Sequence, residues 1–329
     1  MRIKLLMLAI CLLGFSVAYS NPFSDNSLSY PYTVEFFSFK SQKQNLQMAY
    51  MDVQPKKPNG ATVLLLHGKN FNGRYWEGTI AKLTAAGYRV VVPDQVGFGQ
   101  STQPGHYQYT FQQLANNTRG LLDYLKINKV LVIGHSMGGM LATRFALMYP
   151  ERTIALVLED PVGLEDWKRY IPYHGVDQIY KSELKLNTEQ VMEAEKANYY
   201  HGTWKSRYGL WINTDLLNSP NYPLIAWNSA LQTEMVFTQP VLYEFKDLKI
   251  PVLLIVGTLD RTVVGRDWGA PKEVVAQLGD YPRLGRQVVA MIPHAQLKLI
   301  PGVGHIPHIE NPQAFYAVLL PYLSDMRRR

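Results

Sequence analysis

Near the middle of the chain, Gly134-His135-Ser136-Met137-Gly138-Gly139 sets a hydroxyl between closely spaced glycines. An apolar run, Val130-Leu131-Val132-Ile133, leads into it and a helical pattern follows. A strand that turns sharply into a helix forces unfavourable backbone angles on the residue at the tip. It also brings helix and strand close together, so glycines are needed on both sides. Ser136 would then stand at a helix N-terminus, where a developing anion is favoured. The chemistry is nucleophilic attack at an acyl carbon. It needs a base to activate the hydroxyl and an acid to fix the tautomer of that base. The Gly-x-Ser-x-Gly spacing alone is weak; its strand-to-helix setting gives it weight.

Other chemistries are less well served. His305-x-x-His308 could be read as a metal pair, but it lacks a His-Glu-x-x-His pattern, so no metal site is expected. Gly97-x-Gly99, in Pro93-Asp94-Gln95-Val96-Gly97-Phe98-Gly99-Gln100-Ser101, lacks the third glycine and the helix start of a dinucleotide fingerprint. No cofactor is expected, and Asp94 reads as a brace for loops behind the site. The single cysteine, Cys11, rules out an internal disulfide, a cysteine-based zinc site and a redox pair.

The elements that would position these groups are legible from periodicity. Thr33 to Phe39 and Leu46 to Val53 alternate like exposed antiparallel strands. From Thr62 onward the strands are continuously apolar: Val63 to Leu66, Val90 to Val92, Val130 to Ile133, Ala155 to Leu158 and Val252 to Val256. Such runs suit parallel strands covered on both faces. Helical patterns lie between them, over Arg74 to Ala86, Phe111 to Lys126 and Met137 to Tyr149, with Thr110 as N-cap of the second and Gly87 as stop of the first. Strand and helix in alternation mean an α/β sheet. The alternation breaks between Pro161 and Ile250, a stretch with four of the six tryptophans. This segment, 161–250, reads as a helical lid whose aromatics mostly fill a small core of its own.

The chain resembles the α/β-hydrolase superfamily, on the Ser136 motif and its strand-to-helix context. Within it, the nearest likeness is to cap-bearing, single-domain hydrolases, which include esterases, epoxide hydrolases and haloalkane dehalogenases. The resemblance runs from about Thr62 to the C-terminus. It implies an α/β-hydrolase fold: a mostly parallel eight-stranded sheet with helices on both faces and a helical cap after the sixth strand. The core would be 21–160 and 251–329. It also implies roles for residues. His305, in Pro301-Gly302-Val303-Gly304-His305, takes the base position in preference to His308, whose ring is expected to partner nearby backbone. Asp260, in Gly257-Thr258-Leu259-Asp260, takes the acid position, and Asp160 after the preceding strand stays open as the alternative. The backbone N–H groups of Met137 and of Lys69, in His67-Gly68-Lys69-Asn70-Phe71, take the oxyanion positions. His67 is expected to organise its loop, and Asn70 is a candidate for a side-chain contact to substrate.

A serine nucleophile separates the chain from epoxide hydrolases and haloalkane dehalogenases, whose nucleophile is an aspartate. The loop after Leu66 also lacks the Gly/Pro-rich pattern of the peptidases that cut N-terminal proline and of many carbon–carbon hydrolases of ring-fission products. The expectation is a serine hydrolase acting through an acyl-enzyme on a small, hydrophobic, ester-like acyl substrate. An acyltransferase would use the same groups with another acceptor, and a non-catalytic binding protein would have lost one of them.

The termini explain the charge. Arg2 and Lys4 precede an uncharged apolar run, Leu5 to Ala18, and Ala18-Tyr19-Ser20 ends in a small-x-small exit. Residues 1–20 thus read as a secretory signal, cleaved after Ser20, with export to the periplasm or beyond. The run is shorter than the roughly 20 residues of a spanning helix. A lipobox reading of Leu8-Ala9-Ile10-Cys11 fails for want of a small residue before the cysteine. No stable membrane anchor is expected after cleavage. The formal +7 includes the two N-terminal cations and Arg327, Arg328 and Arg329; setting those five aside leaves a body of about +2. No basic stripe interleaved with aromatics occurs, so nucleic-acid binding is not expected. Nothing in the sequence specifies the oligomeric state.

Overall fold

A computed structural model describes residues 29–212 and 214–328. The signal-like segment 1–20 lies outside the described residues. The elements run β1 (Glu35–Ser41), β2 (Gln44–Val53), β3 (Thr62–Leu66), α1 (Glu77–Ala85), β4 (Arg89–Pro93), α2 (Phe111–Tyr124), β5 (Val130–His135), α3 (Met137–Met148) and β6 (Thr153–Glu159). Then come α4 (Val176–Glu183), α5 (Thr188–Asn198), α6 (Tyr222–Thr238), β7 (Val252–Gly257), α7 (Lys272–Val275), α8 (Tyr281–Met291), β8 (Ala295–Ile300), α9 (Pro307–Glu310) and α10 (Pro312–Arg328).

The strands form one eight-stranded sheet in the order β1-β2-β4-β3-β5-β6-β7-β8. β1 and β2 pair antiparallel, β2 joins β4 antiparallel, and every later pairing is parallel. Alternation of side chains across the sheet splits the core in two. Leu64, Leu66, Val130 and Val132 face the layer of α2, α3 and α8, where Leu114, Leu141 and Leu284 pack. Val63, Leu65, Leu131 and Ile133 face α1 and α10, where Ile80, Leu319 and Leu323 pack. Both faces are covered, which is why these strands are apolar throughout.

Thr110 caps α2 by accepting the Gln113 N–H at 3.0 Å. The helix expected from Arg74 begins instead as a 3-10 turn, Gly73–Trp76, capped by Asn72, and becomes α-helical at Glu77. Between β6 and β7 the described residues contain helices and no strand. The aromatics of this segment do not form a core of their own, contrary to expectation. Trp167 joins the α2–α3–α8 face, while Tyr200 and Tyr208, stacked at 3.9 Å, join the α1–α10 face. The segment is thus bonded into the main packing at both ends.

Candidate active site

β5 ends in the centre of the sheet, and the chain turns at Ser136 directly into α3. Ser136 has φ 55° and ψ −120°, a strained conformation for a non-glycine residue that costs of order 1–3 kcal/mol. The flanking glycines explain how the turn fits. A Cβ on Gly134 would lie 2.2 Å from the Gly138 carbonyl oxygen, and one on Gly138 would lie 2.2 Å from that of Leu66. Both obstacles are backbone, so neither can step aside.

The structure brings Ser136, His305 and Asp260 together. His305 Nε2 lies 2.9 Å from Ser136 Oγ, and its Nδ1 lies 2.7 Å from Asp260 Oδ2. Since a carboxylate accepts, Nδ1 carries the ring proton and Nε2 is free to accept from the serine hydroxyl. His305 and Asp260 are fully buried and Ser136 is 6% exposed. The other Asp260 oxygen takes the Thr262 N–H at 2.9 Å. Ser136, Asp260 and His305 follow β5, β7 and β8, so they gather at the C-terminal edge of the parallel sheet, where ligand sites of such sheets lie.

Asp160 is also there, after β6 and also fully buried, but it does not bond to His305. It accepts the Gly257 N–H at 3.0 Å. Burial, and then the neighbouring Asp260, push it well above the usual carboxylate range. This environment favours the protonated form of Asp160, which can hydrogen-bond to Asp260.

Met137 is the first residue of α3, so its N–H has no acceptor within the helix. Gly68 passes so close that a Cβ there would lie 3.1 Å from Ser136 Cβ, which sets Lys69 beside the nucleophile. The Lys69 ammonium reaches away into the 161–250 segment, donating to Ser229 Oγ and Asn70 Oδ1 at 3.0 Å, with Glu183 at 3.8 Å. Asn70 in turn donates to the Tyr199 hydroxyl at 3.2 Å.

Several residues that hold the site carry no motif. The Gly68 N–H donates to Tyr75 Oη, and Tyr75 bonds His135 Nδ1 at 3.0 Å. His135 Nε2 meets the His305 carbonyl at 2.8 Å, so Nε2 must donate and Nδ1 must accept the tyrosine proton. Burial, then His305 and His308, lower the His135 pKa well below its usual value, which keeps the ring neutral as this chain requires. Tyr75 and His135 thus tie the loops of Lys69, Ser136 and His305 into one unit. His135 sits in the variable position of the serine motif, and only its burial marks it out. Tyr199 is the other: its carbonyl accepts the His305 N–H at 2.8 Å and its ring stacks on the imidazole at 4.9 Å.

His67 donates from Nδ1 to the Gly68 carbonyl and accepts the Gln95 N–H at Nε2. Asp94 takes N–H groups of Gly73 and Gln100 together with the Tyr30 hydroxyl. His308 stands outside the relay. Its ring partner is the buried Glu159 carboxylate at 2.9 Å rather than backbone, because Glu159 ends β6 beneath it.

Above this layer a cavity of about 380 Å³ lies between the loops of Lys69 and Phe98 and the helices α4, α5 and α6. Ser136 is not in its lining; Lys69 and Tyr199, both adjoining the relay, are.

The alpha/beta hydrolase fold family model matches residues 61–312. The chain belongs to the α/β-hydrolase fold family. It is 47% identical to a structure from Pseudomonas aeruginosa described as a probable hydrolytic enzyme, with a TM-score of 0.88 over 90% of this chain and 96% of that one. It is 29% identical over 282 residues to the 2-hydroxy-6-oxo-6-phenylhexa-2,4-dienoate hydrolase of Burkholderia cepacia, covering 81% of this chain and 88% of that one. It is 26% identical over 266 residues to a pimeloyl-[acyl-carrier protein] methyl ester esterase of Aeromonas hydrophila, covering 79% and 94%. These relatives support hydrolase activity.

Proposed function

We propose that the protein is a serine hydrolase that cleaves an ester-like acyl substrate through an acyl-enzyme. One observation carries the reading: the hydrogen-bonded relay from Asp260 through His305 to Ser136, at 2.7 and 2.9 Å, with the serine at the tip of a strained turn. Ser136 Oγ attacks the acyl carbon as His305 Nε2 takes its proton. The N–H groups of Met137 and Lys69 hold the oxyanion, and Asp260 steadies the imidazolium. His305 then returns the proton to the leaving alcohol, and water releases the acid by the same route in reverse. The 161–250 segment acts as a cap over the substrate, supported by the cavity beneath it. The aromatic and aliphatic part of its lining favours a largely apolar acyl compound. Export follows from the N-terminal segment.

Labelling with a fluorophosphonate tests the reading. The wild type should label stoichiometrically and Ser136→Ala should not; labelling that persists in the variant, or fails in the wild type, overturns it. The Burkholderia relative favours a second reading, hydrolysis of a 2-hydroxy-6-oxo-dienoate. Turnover of such a dienoate above that of simple esters would displace the ester reading while leaving the nucleophile in place.

A further inference from the structure

Glu195, on α5, is 6% exposed, and its Oε2 is buried with no hydrogen-bond partner. No other hydrogen bond of its carboxyl occurs among the described residues. A carboxyl left in this state costs stability unless something completes it. It lines the 380 Å³ cavity, one helical turn before Tyr199, whose ring stacks on His305. Oε2 itself is shut off from solvent, so it is through the rest of its 6% exposed side chain that Glu195 lines the chamber.

The ionisable groups of that chamber do not all pair off. Its charged lining residues are Lys69, Glu183 and Glu195. Lys69 is already answered by Glu183 and by the hydroxyl of Ser229, which itself donates to Glu183 at 2.9 Å. One carboxyl is left over. If the ligand offered only a hydroxyl, an amide would serve as well, and the lining already has Asn70, Gln103, Asn198 and Gln232. A titratable acid adds the capacity to meet a positive charge. Phe71, Phe98 and Trp211 line the same space, and aromatic rings attract an alkylated cation.

We infer that the cavity recognises a cationic ammonium group carried by the substrate, with Glu195 as its counter-charge. The inference rests on the serine-hydrolase reading only in making that ligand an ester. Without ligand, burial pushes Glu195 up to about 8, so the empty chamber holds a mostly neutral acid at pH 7. Binding a cation draws off its proton. Lys69 and Glu183 pair with each other, Tyr199 and Tyr200 are pushed far up by burial and by Glu195, and Asp215, on the neighbouring 3-10 segment, is exposed.

Butyrylcholine and its neutral isostere 3,3-dimethylbutyl butyrate form the test pair, since they differ by a fixed charge alone. The wild type should prefer the choline ester in kcat/KM by about tenfold or more, and Glu195→Gln should bring the ratio close to one. Choline itself, titrated by calorimetry, gives a readout that needs no turnover. It should bind wild type and Ser136→Ala alike, and about tenfold or more tighter at pH 9 than at pH 6, as Glu195 ionises. It should lose that pH dependence in Glu195→Gln, whose melting curve reports that it is folded. Absence of choline binding, or binding and preference unchanged in Glu195→Gln, overturns the inference. Choline binding without Ser136-dependent labelling would instead overturn the hydrolase reading alone.

Discussion

Two buried aspartates lie close to one another at the end of the sheet, and only one of them bonds His305. Asp260 is bonded to His305 Nδ1 at 2.7 Å, whereas Asp160 is held on the Gly257 N–H and backs Asp260. In Asp260→Asn the amide NH2 would face Nδ1 and donate to it. The ring proton would then sit on Nε2, which could no longer accept from Ser136. Loss of the working tautomer in this way costs roughly 10⁴-fold in kcat, or about 5.5 kcal/mol of barrier. Asp160→Asn is a gentler change. Burial pushes Asp160 toward its protonated form, and an amide of the same shape keeps an oxygen for Gly257 and an N–H for Asp260. Its cost should stay below about tenfold, or roughly 1.4 kcal/mol. The assay is kcat/KM on a short-chain p-nitrophenyl ester for both variants, with the rate of fluorophosphonate labelling in parallel and thermal melts to establish folding. Equal losses in the two variants, or a loss under tenfold in Asp260→Asn, would refute the assignment of the acid.

Gly138→Ala should be destabilising by about 2–3 kcal/mol, since its Cβ meets the Leu66 and His67 carbonyl oxygens at 2.2 and 2.6 Å. The displaced turn should also cost about 10²-fold in activity; a variant that melts and turns over like wild type would contradict this account of the turn. Glu195→Gln should stabilise the protein increasingly with pH. The folded pKa, about 8, lies above the ordinary glutamate value of 4.5, so the native state alone holds the proton between them and the wild type loses stability as pH rises through that window. Urea unfolding at several pH values should show the gap widening by up to about 1.4 kcal/mol per unit and levelling off above the folded pKa. Parallel stability curves would show that Glu195 is not desolvated.

The sheet was readable because burial on both faces leaves continuous apolar runs, and the ends of those runs located the residues of the relay. Val130 to Ile133 fixed where Ser136 turns, and Val252 to Val256 fixed the reach of Asp260. What the sequence left out is what depends on contacts across the fold. Tyr75 and His135 are brought together by the approach of separate loops, 60 positions apart. Glu183, Tyr199 and Ser229 come from a helical segment with no spacing rule, and their pairing with Lys69 and Asn70 exists only once the segment has packed on the core. The aromatics of 161–250 were misjudged for the same reason. A tryptophan or tyrosine declares that it will be buried, but not against which layer.

The bond between the His305 N–H and the Tyr199 carbonyl constrains how anything gets in. Tyr199 belongs to the same excursion of the chain that roofs the cavity, yet it also holds the loop of the base. If that roof swung away as a single piece, the imidazole would lose its backbone anchor and its stacked ring in the same movement. Entry must therefore use a part of the roof that does not carry Tyr199. The short stretch 214–221 after it, which includes cavity-lining Leu216, carries no such anchor to His305. The roof of the cavity and the anchor of the His305 loop share one stretch of chain, divided at Tyr199.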